Sequence, residues 1–365
     1  MRPNVLFVGR TRYRLPLDGV LARKWDALAG AMNVRVLARS AEQNAGEDPR
    51  FVLARPVRPR RLDGIAFYVS LPFRMARELR RSRPDAVVTQ SPYEAAAALA
   101  ARRVVGSPAK VIVELHGDWR TATRLYGSRL RRVLEPVTEP VARTALRHAD
   151  GLRTISDYTT ELVRPLGRDP AAVFPAYVDL AAFLERPIAP LPEDPAVLFV
   201  GVLERYKGVD VLAEAWPKVE ARLPEATLHV VGEGPQELPG GRVRWDQRLA
   251  PHDVARALDR ASLLVLPSRS EGLPRIVIEA FCRGRAVVAT RAGGTPDIVE
   301  DGVSGLLVPP EDPDALTDAV TRCLEDRVLL ARLSAGARAS AQPWLQTPEE
   351  FAARMRELVA RTLAA

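Results

Sequence analysis

Two glutamates with seven residues between them, Glu271 and Glu279, lie in the stretch LVLPSRSEGLPRIVIEAFCRGRAVVATRAGGTPDIVEDGVSGLLV, residues 264–308. Glu271 follows an apolar strand pattern and a polar turn. Gly272, Leu273 and Pro274 then lead into a helical stretch that carries Arg275 and Glu279. This spacing puts Glu271 on a loop and Glu279 on the second turn of a helix. Exposed amides at such a helix start, around Leu273 to Ile276, favour an anion such as a diphosphate, because first-turn N–H groups lack intrahelical partners and the macrodipole is positive there. A carboxylate just along the helix accepts two hydrogen bonds from a ribose diol. Taken alone, Glu279 reads first as a residue of a solvated helix face.

A second group lies in LFVGVLERYKGVDVLAEAW, residues 198–216. An apolar strand ends at Gly201, and Lys207 with Gly208 opens the next helix, which stands an ammonium near the same diphosphate. Arg205 supplies a further cation if its loop bends inward and is a solvated side chain if it does not. His116 follows the apolar run KVIVEL and opens HGDW, at a strand's carboxyl end; His148, His229 and His252 lack such placement and read as structural. No spacing of His, Asp and Glu suggests a metal site, and no cofactor is expected.

These residues need a frame of alternating strands and helices. In the front half NVLFVG, NVRVLA, DAVVTQ, KVIVEL and GLRTIS are strand candidates, separated by helix-length segments such as Leu21 to Met32 and Tyr93 to Val105. Such alternation implies a parallel sheet with helices on both faces, whose ligands sit beyond the carboxyl ends of the strands, so Gly9, Gln90 and His116 are placed where a site would be. Residues 184–196, LERPIAPLPEDPA, hold four prolines and no apolar periodicity, the composition of an extended linker. Strands and helices then resume to about residue 342. This gives a first domain at 1–183, a linker at 184–195, a second domain at 196–342 and a C-terminal helical segment at 343–365 that packs back on the first.

The 365 residues, 47% hydrophobic and 27% charged, exclude a disordered or fibrous chain. Cys282 and Cys323 are too few for a disulfide framework or a Cys-based zinc site, which points to a cytoplasmic protein. No stretch approaches the roughly 20 apolar residues that span a bilayer, and the start does not read as a signal peptide.

The glutamate pair and its surroundings resemble the family-4 retaining glycosyltransferases of GT-B fold, whose signature is a pair of glutamates separated by seven residues. The likeness covers nearly the whole chain: AFCRGRAVVAT and RAGGTPDIVEDGVSGLLVPPEDPDAL after the pair, HADGLRTISDYTTELV before the linker, and VFPAYVDLAAF at its entry. It implies an α/β protein of two doubly wound Rossmann-like domains facing a central cleft. The activity implied is transfer of a sugar, with retention, from a nucleoside diphosphate sugar to a hydroxyl of a glycan, glycolipid or lipid-linked acceptor in cell-envelope or exopolysaccharide synthesis. UDP is the first expectation for the donor and GDP the next, with no divalent ion at the chemical step.

By the same resemblance Glu271 contacts the donor sugar, Glu279 the nucleotide ribose, and His116 reaches the sugar from the first domain. Lys207 neutralises the diphosphate, together with an arginine after the strand glycine. Here Val202 occupies that arginine's place, which leaves Arg205 as the candidate substitute. Gly293, Gly294, Thr295 and Pro296 are structural. The family's paired-glycine loop after the first strand is replaced by GRTRYRLPLDG, with Gly9 alone and Arg10, Arg12 and Arg14 in the loop; these meet an anionic acceptor, or the acceptor region has diverged. Two other readings are a non-catalytic glycosyltransferase-like partner subunit and a GT-B sugar-nucleotide epimerase.

The net charge of +8 is unevenly spread, with 31 Lys and Arg against 19 Asp and Glu in residues 1–185. A basic half points to a polyanion or an anionic membrane surface, although Arg-rich coding also yields such an excess. In FYVSLPFRMARELRRSR, residues 67–83, Leu71, Met75 and Leu79 share one helical face and Arg74, Arg77 and Arg81 another. That pattern suits either an interfacial helix on an anionic leaflet or an ordinary surface helix. No helix-turn-helix, zinc-finger or aromatic RNP pattern is present, so nucleic acid is not expected as a partner.

Overall fold

The computed structural model describes residues 2–42, 46–58, 63–120, 129–236, 238 and 240–365. It forms two compact units. The stretch up to Arg120, Arg129–Tyr177 and Gln346–Ala365 make the first, and Val178–Leu345 makes the second.

The first unit runs β1 Asn4–Tyr13, α1 Gly19–Ala31, β2 Asn33–Ser40, β3 Phe51–Ala54, α2 Asp63–Ser82, β4 Ala86–Thr89, α3 Pro92–Val105, β5 Lys110–Leu115, α4 Arg129–His148, β6 Gly151–Thr154, α5 Asp157–Glu161 and β7 Ala172–Val173. Its strands pair in parallel in the order β3-β2-β1-β4-β5-β6-β7, so the order reverses between β1 and β4. Local chemistry explains the helix ends. Ser91 caps α3 by accepting from the amides of Tyr93 and Glu94, Pro92 occupies the first turn, and Gly106 ends the helix at φ +64°. Leu71, Met75 and Leu79 of α2 lie in the core with Leu6, Val87 and Val113.

The second unit runs α6 Ala181–Leu184, β8 Ala196–Val200, α7 Val209–Arg222, β9 Thr227–Val231, β10 Val243–Asp246, α8 Pro251–Asp259, β11 Leu263–Leu266, α9 Arg275–Cys282, β12 Ala286–Thr290, β13 Gly305–Val308, α10 Pro313–Glu325 and α11 Arg327–Ala339. The parallel order β10-β9-β8-β11-β12-β13 reverses between β8 and β11, the position beyond whose carboxyl ends a ligand binds in open sheets of this kind. Val287 and Ala289 face one side of the sheet and Ala286 and Val288 the other, each in its own core.

Residues 184–195, expected as an extended linker between the domains, are built into the second unit. The buried Arg283 donates to the carbonyls of Phe183, Arg186 and Pro187, and Arg285 to those of Ala189 and Pro190. A proline-rich segment presents carbonyls without matching N–H donors, and two guanidinium forks satisfy them. The chain therefore passes from the first unit to the second at Tyr177–Val178 and returns at Leu345–Gln346. Trp344 packs against the second unit's core, while the last helix, α12 Pro348–Ala364, buries Phe351, Met355 and Leu358 with Trp25 and Phe174 of the first unit. A capping box of Thr347 and Glu350 starts α12.

Candidate functional site

The residues with matching chemistry in the second unit lie beyond the carboxyl ends of β8 and β11. After β8 the chain passes Gly201, whose amide bonds Val231 O at 2.9 Å, and reaches a short turn at Arg205–Lys207. Gly208 closes that turn at φ +66°, and a Cβ there would fall 1.9 Å from Pro267 O, so glycine lets the Lys207 loop press against the backbone leaving β11. The Lys207 ammonium lies 2.6 Å from Glu271 Oε1, which also accepts from Ser268 Oγ at 2.6 Å. Both side chains of the ion pair are largely buried, Glu271 the more so.

Glu271 is fixed from behind by Gly293 and Gly294. The amide of Gly294 donates to Glu271 O at 2.9 Å. Gly293 has φ +56°, and a Cβ there would sit 1.9 Å from the same carbonyl, so the glycine pair accounts for the close approach of this turn. Beyond Glu271 come Gly272 and the half-buried Leu273, packed against the core, and then Pro274 at the N-cap of α9. Pro274 offers no side-chain cap; its carbonyl takes the Val277 amide at 3.1 Å, and the amides ahead of Val277 receive no side-chain acceptor from the residue that usually supplies one. Glu279, buried on the second turn, faces Arg275 at 3.3 Å. Burial pushes the Glu279 carboxyl above its ordinary range, with Arg275 working against the shift.

Sequence reasoning missed two members of this group. Ser268 stands three residues before Glu271, a spacing that invites a hydroxyl-to-carboxylate bond. Arg269 had no local signal, since its partners are remote: Nη1 and Nη2 reach the Asp210 carboxylate at 2.6 and 2.9 Å, Nη1 reaches Arg205 O at 2.6 Å, and Nε reaches Glu311 at 2.7 Å. It ties the Lys207 turn to the strand end that bears Glu271. Arg205 itself points to solvent and contributes its carbonyl to Arg269, so the inward bend is not observed. Val202 is exposed beside it.

In the first unit His116 follows β5 and lies 3.7 Å from Glu114, with its ring partly exposed. Glu114 pairs across the sheet with the buried Arg153, which also donates to the carbonyls of Phe174 and Pro175 at 3.0 and 2.7 Å. Burial alone would raise the Glu114 carboxyl, but Arg153, His116 and Lys24 hold it down at about 2. The group was missed because a glutamate inside an apolar strand run carries no motif.

The expected loop after β1 is absent as a loop. Gly9 and Arg10 lie within β1, which continues through a register shift to Tyr13, with Gly9 close to the Gln90 side chain. Arg12 is bound to Asp63 at 2.7 Å and Arg14 to Glu42 at 2.7 Å, so neither stands free for an acceptor; Arg10 is exposed near Tyr68 and Glu94. Arg74 is half-buried against α2's own unit and donates to Val52 O at 3.2 Å. Leu71, Met75 and Leu79 are spent on the core, so that face does not meet a membrane, and of the three arginines singled out on α2 only Arg77 and Arg81 are exposed. No described helix is long and apolar enough to cross a bilayer.

Two parallel sheets, with a lysine–glutamate pair and a second glutamate at a strand-order reversal, define a doubly wound α/β protein. Family models described as Glycosyltransferase Family 4 and Glycosyl transferases group 1 match residues 21–182 and 194–326. The chain belongs to the family-4 glycosyltransferases. It is 28% identical over 261 residues to an alpha-D-kanosaminyltransferase of Streptomyces kanamyceticus, covering 64% of this chain and 66% of the relative. It is 34% identical over 218 residues to a GDP-mannose-dependent alpha-(1-6)-phosphatidylinositol monomannoside mannosyltransferase of Mycolicibacterium smegmatis, covering 51% and 57%. Each alignment thus spans less than two thirds of its curated relative. Among solved structures it is similar to sucrose-phosphate synthase from Thermosynechococcus elongatus, with a TM-score of 0.78, 19% identity and 99% of both chains covered. Anabaena HepE in complex with UDP and glucose gives a TM-score of 0.69 at 17% identity over the full length of both. The fold is GT-B.

Proposed function

We propose that the protein transfers a sugar from a nucleoside diphosphate sugar to a hydroxyl of a glycan, glycolipid or lipid-linked acceptor, with retention at the anomeric carbon. The observation that carries this reading is the grouping of Lys207, Glu271 and Glu279 at the switch point of the second sheet. The uncapped start of α9 takes the diphosphate, and the buried Glu279 accepts from the ribose diol. Lys207 stabilises the charge that grows on the departing phosphate. One preorganised donor of this kind is worth about 3–4 kcal/mol in the transition state. The bond between anomeric carbon and phosphate oxygen breaks, the bond to the acceptor oxygen forms on the same face, and the acceptor proton passes to the departing phosphate. No metal ion enters this scheme.

Glu271 holds Lys207 and orients the sugar instead of attacking it. Its Oε1 already receives two donors, a poor state for a nucleophile. Similarity to a GDP-mannose-dependent relative and to a structure holding UDP supports UDP and GDP as the first bases to test. The two free, buried cysteines suit a reducing, cytoplasmic setting, where envelope or exopolysaccharide precursors are assembled.

The test is transfer of label from UDP- and GDP-sugars to a glycolipid extract, with the product's anomeric configuration read by NMR. Retention without a covalent intermediate is expected. An inverted product, or a glycosyl group trapped on Glu271, would overturn the mechanism.

A further inference from the structure

The exposed face of α2 is unlike the rest of the first unit's surface. Its exposed residues are Ile65, Val69, Phe73, Arg77, Arg80 and Arg81, three apolar and three basic. Ile65, Val69, Phe73, Arg77 and Arg81 are each four apart and so form one ridge along the helix, apolar in its first half and cationic in its second. Exposure rises along the apolar half, from 51% at Ile65 to 65% at Val69 and 77% at Phe73. Val104, near the end of α3, is 76% exposed and shares a groove with Phe73, Ala76, Arg77, Arg80 and Arg81. The opposite face of α2 already supplies Phe67, Leu71, Met75 and Leu79 to the core, so the ridge is surplus to folding.

Charge decides what covers it. Both carboxylates of α2 are withdrawn: Asp63 is buried against Arg12 and Arg39, and Glu78 is buried against Arg35 at 2.6 Å. Glu94 of α3 is buried too. Among the described residues no carboxylate pairs with Arg77, Arg80, Arg81 or the exposed Arg103. A second copy of the chain would bring the same arginines to the contact. An anionic bilayer brings the opposite charge and an apolar interior for an aromatic ring and two branched side chains.

We infer that the α2 ridge docks the first unit on an anionic lipid surface, with Val69 and Phe73 entering below the headgroups and Arg77, Arg80 and Arg81 held at them. This is a different face of α2 from the one its sequence periodicity marks as apolar. It requires nothing of the donor chemistry, and its failure would leave the roles of Lys207 and Glu279 untouched.

The full chain is sedimented with vesicles of phosphatidylcholine mixed with phosphatidylglycerol and with vesicles of phosphatidylcholine alone, as wild type, Val69→Ser/Phe73→Ser, Arg77→Gln/Arg81→Gln and the control Val328→Ser. Val328 is 80% exposed on the second unit. All four positions of the two test variants are exposed, so unchanged thermal midpoints certify folding. The wild type and Val328→Ser are expected to bind the mixed vesicles and not the neutral ones, and each double variant to lose about tenfold in partition. Full binding by both double variants, or wild-type binding to neither vesicle, would overturn the inference. So would a wild-type dimer in solution that the Val69→Ser/Phe73→Ser change dissolves.

Discussion

The ammonium of Lys207 and the carboxylate of Glu271, 64 positions apart in sequence, meet at 2.6 Å beyond two adjacent parallel strands. Neither charge stands alone. In the proposed mechanism Glu271 holds this lysine for an incoming phosphate and also lies where the sugar binds.

Replacing Lys207 by Met removes the cation and leaves the Glu271 carboxylate with the neutral Ser268 hydroxyl as its side-chain donor among the described residues. Transfer is expected to fall about 100- to 1,000-fold, with a drop in thermal stability. Adding Glu271→Gln restores part of the stability, because the orphaned carboxylate is what costs most, but restores no activity. A coupling free energy of about 0.5–3 kcal/mol from denaturant melts of the cycle checks the first expectation. Independent stability effects would show that the pair is not energetically real.

Arg269 makes its contacts at the edge of the site and acts through the loops it joins. Arg269→Ala is expected to lower turnover and weaken donor binding together, since the Lys207 turn loses its tie, through Arg205 O, to the strand end that bears Glu271. Arg269→Lys is expected to rescue little, because an ammonium does not reproduce a fork that spans two carboxylates and a carbonyl. Steady-state kinetics of the pair of variants is the measurement, and full rescue by lysine would contradict a positioning role.

Gly293 is the backbone element on which Glu271 rests. Gly293→Ala places a methyl 1.9 Å from Glu271 O at a φ of +56°. Conformational strain of about 1–3 kcal/mol is expected, with the clash added to it. A lower urea midpoint with an unchanged slope checks this, whereas wild-type stability would mean that the turn relaxes freely.

Two buried carboxyls of the first unit give opposite dependences on pH. Burial pushes Glu94 from 4.5 up to about 7, so the folded state holds a proton that the unfolded chain has lost within that window. Stability therefore falls as pH rises from 4.5 to about 7, by at most about 3 kcal/mol. Glu114, held at about 2, contributes stability that is present above 4.5 and is lost as pH falls toward 2. Glu94→Gln is expected to flatten the upper window and leave the acid limb in place. Denaturant melts across both windows test the assignment, and an unchanged upper slope in Glu94→Gln would refute it.

Much of this architecture was legible because buried parallel strands leave dense Val and Ile runs: KVIVEL, AVVAT and GLLV fall on β5, β12 and β13 with their ends matched. The edge strands Phe51–Ala54 and Ala172–Val173 were not read, being short and only partly buried. Gly9 looked like a loop because a glycine after an apolar run usually marks one, yet β1 continues past it by a register shift that no composition reports. The proline-rich stretch carried a sound local signal for extended chain but none for its partners, since Arg283 and Arg285 are nearly 100 positions away. At the site, the glutamate pair and Lys207 were visible as a motif. The Ser268 bond was visible only in hindsight, and Arg269 with Asp210 required the fold. On α2 the periodicity of Leu71, Met75 and Leu79 marked the core face correctly as apolar but said nothing of which apolar face remained outside.

The most direct test of the donor half is a thermal-shift series with UDP, GDP, ADP and TDP on the wild type and on Glu279→Ala. A nucleoside diphosphate at about 100 times its dissociation constant stabilises the folded state by about 2.7 kcal/mol. The expected result is a rise in melting temperature with one of the four that disappears in Glu279→Ala, whose own melting temperature stays near that of the wild type. No rise with any of them, or an equal rise in Glu279→Ala, would contradict the account of Lys207, the start of α9 and Glu279 as a nucleoside diphosphate site.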